Sequence, residues 1–206
     1  MFSDADGKKA IEIARTVIES YVKRSGPPRI DHPEAFRRKA GVFVTLTTHP
    51  GDDLRGCIGY PEPVAPLIDA LRDSAVSAAS RDPRFPPLRS AELGTVKVEV
   101  SLLTPPEEIQ VERTTELPDH VTVGVDGLIA QRDWARGLLL PQVPVEWGWD
   151  AEQFLSQTCM KAGLSPDAWH MEGTKIFKFQ AEVFSEVEPR GAIVRRELCE
   201  NHGCRG

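Results

Sequence analysis

Between residues 8 and 23, Ala10, Ile11, Ala14, Val17, Ile18, Tyr21 and Val22 recur at three- and four-residue spacing, with lysine and glutamate between them. That period predicts an amphipathic helix, and Gly26-Pro27-Pro28 supplies its terminator. Residues 27–40 are irregular, rich in proline, arginine and histidine. Gly41 to Thr48 (GVFVTLTT) is β-branched and aromatic enough to be a strand. The turn His49-Pro50-Gly51-Asp52-Asp53 leads into a second extended run, Leu54 to Tyr60, so the pair reads as a β-hairpin. A second helix is predicted over Pro63 to Ala79, with Val64, Leu67, Ile68, Leu71, Ala75 and Ala78 on one face and Pro66 in its first turns.

Asp82-Pro83-Arg84-Phe85-Pro86-Pro87 has too much proline for a helix or a central strand. Asp82 and Arg84 are expected to organise this turn through an Asx-type hydrogen bond and an ion pair. Thr95 to Leu103 alternates clearly, Val96, Val98, Val100 and Leu102 on one face and Lys97, Glu99 and Ser101 on the other. Further on, Val121 to Val125 and Gly127 to Gln131 flank Asp126-Gly127, read as a hairpin turn, and Gly137 to Leu140 adds a strand before the stiff loop Pro141-Gln142-Val143-Pro144. Asp150 and Gln153 form a capping-box pattern that opens a helix through Ala162, closed by Gly163. A last strand over Thr174 to Val187 precedes a charged tail. This order of helices and antiparallel hairpins predicts an α+β fold, a mainly antiparallel sheet packed with helices in one main domain with room for a small subdomain.

A chain of 206 residues, 40% hydrophobic, can bury one good core. The first 25 residues lack a continuous apolar stretch and no run approaches bilayer length, so a soluble cytoplasmic protein without a membrane span is expected. The net charge of −6 disfavours tight nonspecific binding to nucleic acid. Cysteines at 57, 159, 199 and 204 are expected to be reduced thiols, and Cys159 shares a helical stripe with Leu155 and Ala162. No Walker loop, HExxH helix or dinucleotide-binding glycine fingerprint occurs, so no metal site or cofactor is assigned. Cys199, His202 and Cys204 lie close together in the tail, at a spacing that matches no strong zinc pattern.

The candidate site is Leu54 to Gly59, LRGCIG. Strand parity puts Leu54, Ile58 and Tyr60 on one anchoring face and Arg55, Cys57 and Gly59 on the other. An arginine two residues away on the same face favours a thiolate, which would make Cys57 a nucleophile. Gly56 and Gly59 are explained by a ligand lying against exposed backbone N–H groups, or by a bulge or close packing around a small buried cysteine.

LRGCIGYPEP at 54–63, DPRFPPL at 82–88, VEVSLLTPPEEI at 98–109, GLLLPQVPVEW at 137–147 and the stretch around Gln157-Thr158-Cys159 with Lys161-Ala162-Gly163-Leu164 resemble the AMME chromosomal-region protein family. The resemblance runs from about residue 8 to 190 as a single domain, leaving 191–206 as a flexible tail. It implies an α+β fold of a group that includes nucleotide-, nucleic-acid- and peptide-binding domains. Fusion or gene proximity of related domains to Memo-like and radical-SAM proteins implies partners in a modification pathway. The resemblance strengthens LRGCIG as the site without supplying a reaction.

Around it, Glu99 is a candidate general base, His49 a proton carrier or ligand contact, and Gln142 a reader of an amide or base edge. Trp147, Trp149 and Trp169 can stack on a ring or fill a core. Two functions follow. One is a thiol-dependent enzyme or pathway component acting on a small polar molecule or modified side chain, with Arg55 holding an anion and Gly56 and Gly59 supplying donors. The other is a noncatalytic module that binds nucleotide, nucleic acid, peptide or a partner protein.

Overall fold

The computed structural model describes residues 2–196. In chain order its elements are α1 (Asp4–Val22), β1 (Val42–Thr48), β2 (Leu54–Tyr60), α2 (Leu67–Ser80), β3 (Val96–Leu103), β4 (Glu107–Glu108), β5 (Asp126–Arg132), β6 (Ala135–Leu139), α3 (Gln142–Trp147), α4 (Ala151–Lys161), β7 (Lys175–Glu186) and β8 (Ile193–Arg196), joined by short 3₁₀ turns. The fold is α+β with antiparallel strands, as the pattern predicts. The residues divide into two compact units, the first comprising residues 2–103 with Glu182–Arg196 and the second Thr104–Ala181. Strand β7 has its first residues, through Ala181, in the second unit and Glu182–Glu186 in the first.

In the first unit, α1 begins four residues before its apolar period. Ser3 and Asp6 form a capping box there, and Asp4 and Asp6 sit favourably at the positive end of the helix dipole. The helix α2 begins later than its period, at Leu67. Pro66 is its N-cap, and Leu67 N–H donates to the Arg38 carbonyl at 2.9 Å, so residues 63–66 stay outside the helix and Val64 is exposed. Strands β2, β1 and β3 are consecutive antiparallel neighbours, and the end of β7 carries β8 on its last four residues. One core joins Ile11, Ala14 and Ile18 of α1, Leu71, Ala75 and Ala78 of α2, and Val44, Leu46, Val98 and Val100 of the sheet. A buried Arg15–Glu186 ion pair fastens α1 to β7. Arg15 also donates to the Val96 carbonyl at 2.7 Å, and Glu186 accepts the Val98 N–H at 2.9 Å.

In the second unit, β5 pairs with β6 and with β7, and Phe154, Leu155 and Cys159 of α4 close a core with Leu128, Ala130, Trp169 and Ile176. The α4 boundaries match the capping-box reading, with Gly163 left-handed at φ +79°. Asp126-Gly127 is not a turn but the start of β5. Asp126 is buried and accepts the Thr122 N–H at 2.9 Å, and a Cβ on Gly127 would strike the Phe179 ring at 2.3 Å. The hairpin turn falls at Asp133-Trp134, where Asp133 takes φ +53°. Pro141 to Pro144 is not a stiff loop either: prolines are tolerated in a first helical turn, and α3 starts at Gln142 and ends at left-handed Gly148. The tail does not leave the fold at residue 191, because Val183–Glu186 pair with β8. Cys199, His202 and Cys204 lie outside the described residues.

Candidate functional site

The LRGCIG segment is β2, an edge strand. Its register with β1 sets Leu46 against Gly56 but Thr47 against Leu54, so Arg55 is the extra residue of a β-bulge. The bulge shifts side-chain parity by one. Leu54 therefore leaves the face of Ile58 and is 40% exposed, which corrects its expected role as an anchor. Arg55 is re-aimed as well. Its Nε and Nη2 donate to the two carboxylate oxygens of Glu92 at 2.8 and 3.3 Å, and its guanidinium stands 5.9 Å from the Phe85 ring centre.

Both glycines are required by the protein's own packing. A Cβ on Gly56 would meet the Ala78 carbonyl oxygen of α2 at 2.2 Å, and one on Gly59 would meet the Val42 carbonyl oxygen of β1 at the same distance. The N–H of Cys57 points to the outer edge of β2 and donates to Asp82 Oδ2 at 2.8 Å. Successive residues of a strand direct N–H to opposite edges, so Gly56 directs its own toward β1. It is not an outward donor for developing charge.

Thr45 is the cross-strand partner of Cys57 on β2 and of Glu99 on β3, which places thiol, hydroxyl and carboxyl in one row on the face turned away from α1 and α2. All three residues are half-buried. Thr45 Oγ1 donates to Cys57 Sγ at 3.3 Å. Burial pushes the Cys57 thiol up from its ordinary value, against the opposing pull of the Thr45 hydrogen bond and the Arg84 charge. Burial also raises Glu99, opposed by Arg196 and Lys97. Both groups are thus biased toward their neutral forms. Arg84, not Arg55, is the cation that acts on the thiol.

The turn after α2 builds the other wall. Asp82 Oδ1 accepts from the Arg84 N–H at 3.1 Å, the expected Asx-type bond, and both carboxylate oxygens receive the Arg84 guanidinium at 2.7 and 3.0 Å. These bonds, with the Cys57 N–H, hold the Asp82 carboxyl well below the usual range although only 4% of the residue is exposed. Arg84 itself reaches the Cys57 carbonyl at 3.5 Å.

Cys57, Arg55, Gly56, Gly59 and Glu99 therefore share one region of the first unit. His49 does not join them: it is exposed in the β1–β2 turn, four residues from Thr45, or about 13 Å along an extended chain. Gln142 belongs to the second unit, half-buried in the first turn of α3. Of the tryptophans, Trp169 is core, whereas Trp147 is exposed and stacks with Trp149 at 6.1 Å. Cys159 is fully buried and pushed up to about 11 by that burial. Thr45 escaped the sequence reading. Its pairing with Cys57 depends on the bulge at Arg55, since the register Thr47–Leu54 carried on without one would set Val44 opposite the thiol.

Fold and site together define a two-unit α+β protein with a thiol–hydroxyl–carboxyl row on one sheet. Residues 11–184 match the AMMECR1 family model, and the chain belongs to that family. It is 51% identical over 193 residues to protein MJ0810 of Methanocaldococcus jannaschii, covering 94% of this chain and 96% of that one. It is 55% identical over 183 residues to a protein of Methanothermobacter thermautotrophicus, covering 88% and 94%. The crystal structure of uncharacterized protein PH0010 from Pyrococcus horikoshii matches with a TM-score of 0.82 at 48% identity, over 95% of this chain and 98% of that one. Among the described residues no helix is long and apolar enough to cross a membrane.

Proposed function

We propose that this protein binds an uncharged polar group of a small molecule over the Cys57–Thr45–Glu99 row. The observation that carries the reading is the shared register of Thr45 with both partners. Neighbouring strands lie about 4.8 Å apart, so Cys57 and Glu99 are separated by roughly 10 Å at the backbone, a span that one ligand above Thr45 can bridge. Burial that disfavours a charge on Cys57 or on Glu99 likewise disfavours a formally charged group between them, so an amide or hydroxyl is favoured. An NMR titration with fragment amides, alcohols, carboxylates and amines tests this. The amides of Thr45, Cys57 and Glu99 should shift with the neutral fragments. Tighter binding of carboxylates or amines at the row, or no shift there, would overturn the reading.

A thiol-dependent reaction at the same row is the second reading, favoured by the Thr45 hydrogen bond to Sγ and the nearby Arg84 charge, both of which stabilise a thiolate. Glu99 is then the proton acceptor for a substrate held over Thr45. The two readings separate on Cys57→Ala: a binding module keeps its ligand and its function, whereas an enzyme keeps its ligand and loses turnover.

A further inference from the structure

On the helical side of the first unit, away from the Cys57 row, a hollow of about 650 Å³ opens between α1, the 24–28 loop and α2. Its volume is that of a small-molecule site. Val17 and Val76 form apolar walls, and Pro27, with the half-exposed ring of Tyr21, continues them toward the mouth.

The charges around this hollow are unbalanced. Arg72 is half-buried, and among the described residues its guanidinium meets no acceptor, which leaves its fork of donors free for a carboxylate or phosphate. Arg24, an exposed residue of the 24–28 loop that lines the hollow, is likewise without an ion-pair partner among the described residues. Of the two lining carboxylates, Asp73 is already engaged, accepting from Tyr60 Oη at 2.7 Å and Arg81 Nη1 at 3.3 Å, and Asp69 is exposed. Two uncommitted guanidiniums therefore face one uncommitted carboxylate.

Arg24 also holds φ +55° just past the end of α1, a left-handed position where glycine is the usual residue. An arginine there sacrifices backbone ease and sets a cation at the rim of an apolar hollow.

We propose that this hollow binds a small amphipathic organic anion, its carboxylate or phosphate held by Arg72 and Arg24 and its apolar body against Val17, Val76, Pro27 and Tyr21. The site is independent of the Cys57 row.

Calorimetric titration of the full chain with 2-naphthoate, 2-naphthyl phosphate and the neutral 2-naphthamide tests it, and the two anions distinguish a carboxylate site from a phosphate site. At least one anion should bind at one-to-one stoichiometry and about tenfold tighter than the amide. Arg72→Met keeps the apolar stem and should erase that preference. Arg24→Gly suits the left-handed backbone, keeps the fold intact and should weaken the anion severalfold. Absence of saturable binding, equal binding of the amide, or unchanged binding by both variants would overturn the proposal.

Discussion

Asp82 reaches from the turn after α2 to accept the Cys57 N–H at 2.8 Å on the outer edge of β2. An edge strand leaves its backbone groups without a sheet partner, and here a buried carboxylate takes that place while holding Arg84. The pairing explains why DPRFP follows α2 at all: it closes the edge at the residue that carries the thiol.

Removing the carboxylate should leave the Cys57 N–H without its acceptor and deprive Arg84 of its ion-pair partner. Asp82→Ala is expected to cost about 2–4 kcal/mol in urea unfolding at neutral pH, and Asp82→Asn less, because an acceptor oxygen survives. The folded state lowers the Asp82 pKa. Its contribution is therefore complete above the unfolded value of about 3.9 and fades as pH falls toward the folded value. The stability gap between wild type and Asp82→Asn should narrow below about pH 4. A gap that widens in acid would contradict this role.

The glycines of the hexapeptide give a second test. At Gly56 and Gly59 the obstacle to a Cβ is backbone carbonyl oxygen, which cannot swing aside like the end of a side chain. Gly56→Ala and Gly59→Ala should each lower stability by roughly 2–3 kcal/mol. Gly94→Ala, where nothing lies within 4 Å, is the control and should be nearly neutral. Normal melting temperatures for the first two variants would mean that the glycines serve a ligand rather than the packing of α2 and β1.

Local signals made much of this fold legible. The hairpin of residues 42–60, the alternation of β3 and the Asp150–Gln153 cap of α4 all lie within a few residues of what they determine. The location of the thiol was legible for the same reason. Its surroundings were not, because Arg55 finds Glu92 37 positions away and Cys57 finds Asp82 25 positions away. Strand parity also fails at a bulge, which depends on the partner strand as much as on β2 itself. Asp126-Gly127 misled in the same manner: its turn-like composition is explained by Thr122 and Phe179, neither of them adjacent.

The Arg15–Glu186 pair allows a prediction about the first unit's stability. Both side chains are almost entirely buried, and each also bonds the backbone of β3 or of its approach. Arg15→Met should cost about 3–5 kcal/mol, since it strands the Glu186 carboxylate. Adding Glu186→Gln should recover part of that loss, because the Gln oxygen can still accept the Val98 N–H. Chemical unfolding of the single and double variants measures the coupling. Strict additivity would show that the two side chains act separately.

Cys57 gives the prediction closest to function. Burial favours the neutral thiol, so its stabilising effect is full below the unfolded value of about 8.5 and is lost as pH rises through the higher folded value. Iodoacetamide should alkylate Cys57 more slowly than glutathione at pH 8, with a rate that climbs steeply above it. The neighbours set the direction of each change. Thr45→Val removes a hydrogen bond that stabilises the thiolate, and Arg84→Gln removes a favourable charge, so both should slow alkylation a fewfold. Glu99→Gln removes an unfavourable charge and should speed it. Arg55→Gln should leave the rate unchanged, since that guanidinium is committed to Glu92. Mass spectrometry in a Cys199→Ser, Cys204→Ser background reads Cys57 against the inert, fully buried Cys159. If Arg55→Gln shifts the profile more than Arg84→Gln, the thiol answers to the arginine beside it in sequence, and the environment described for this row is wrong.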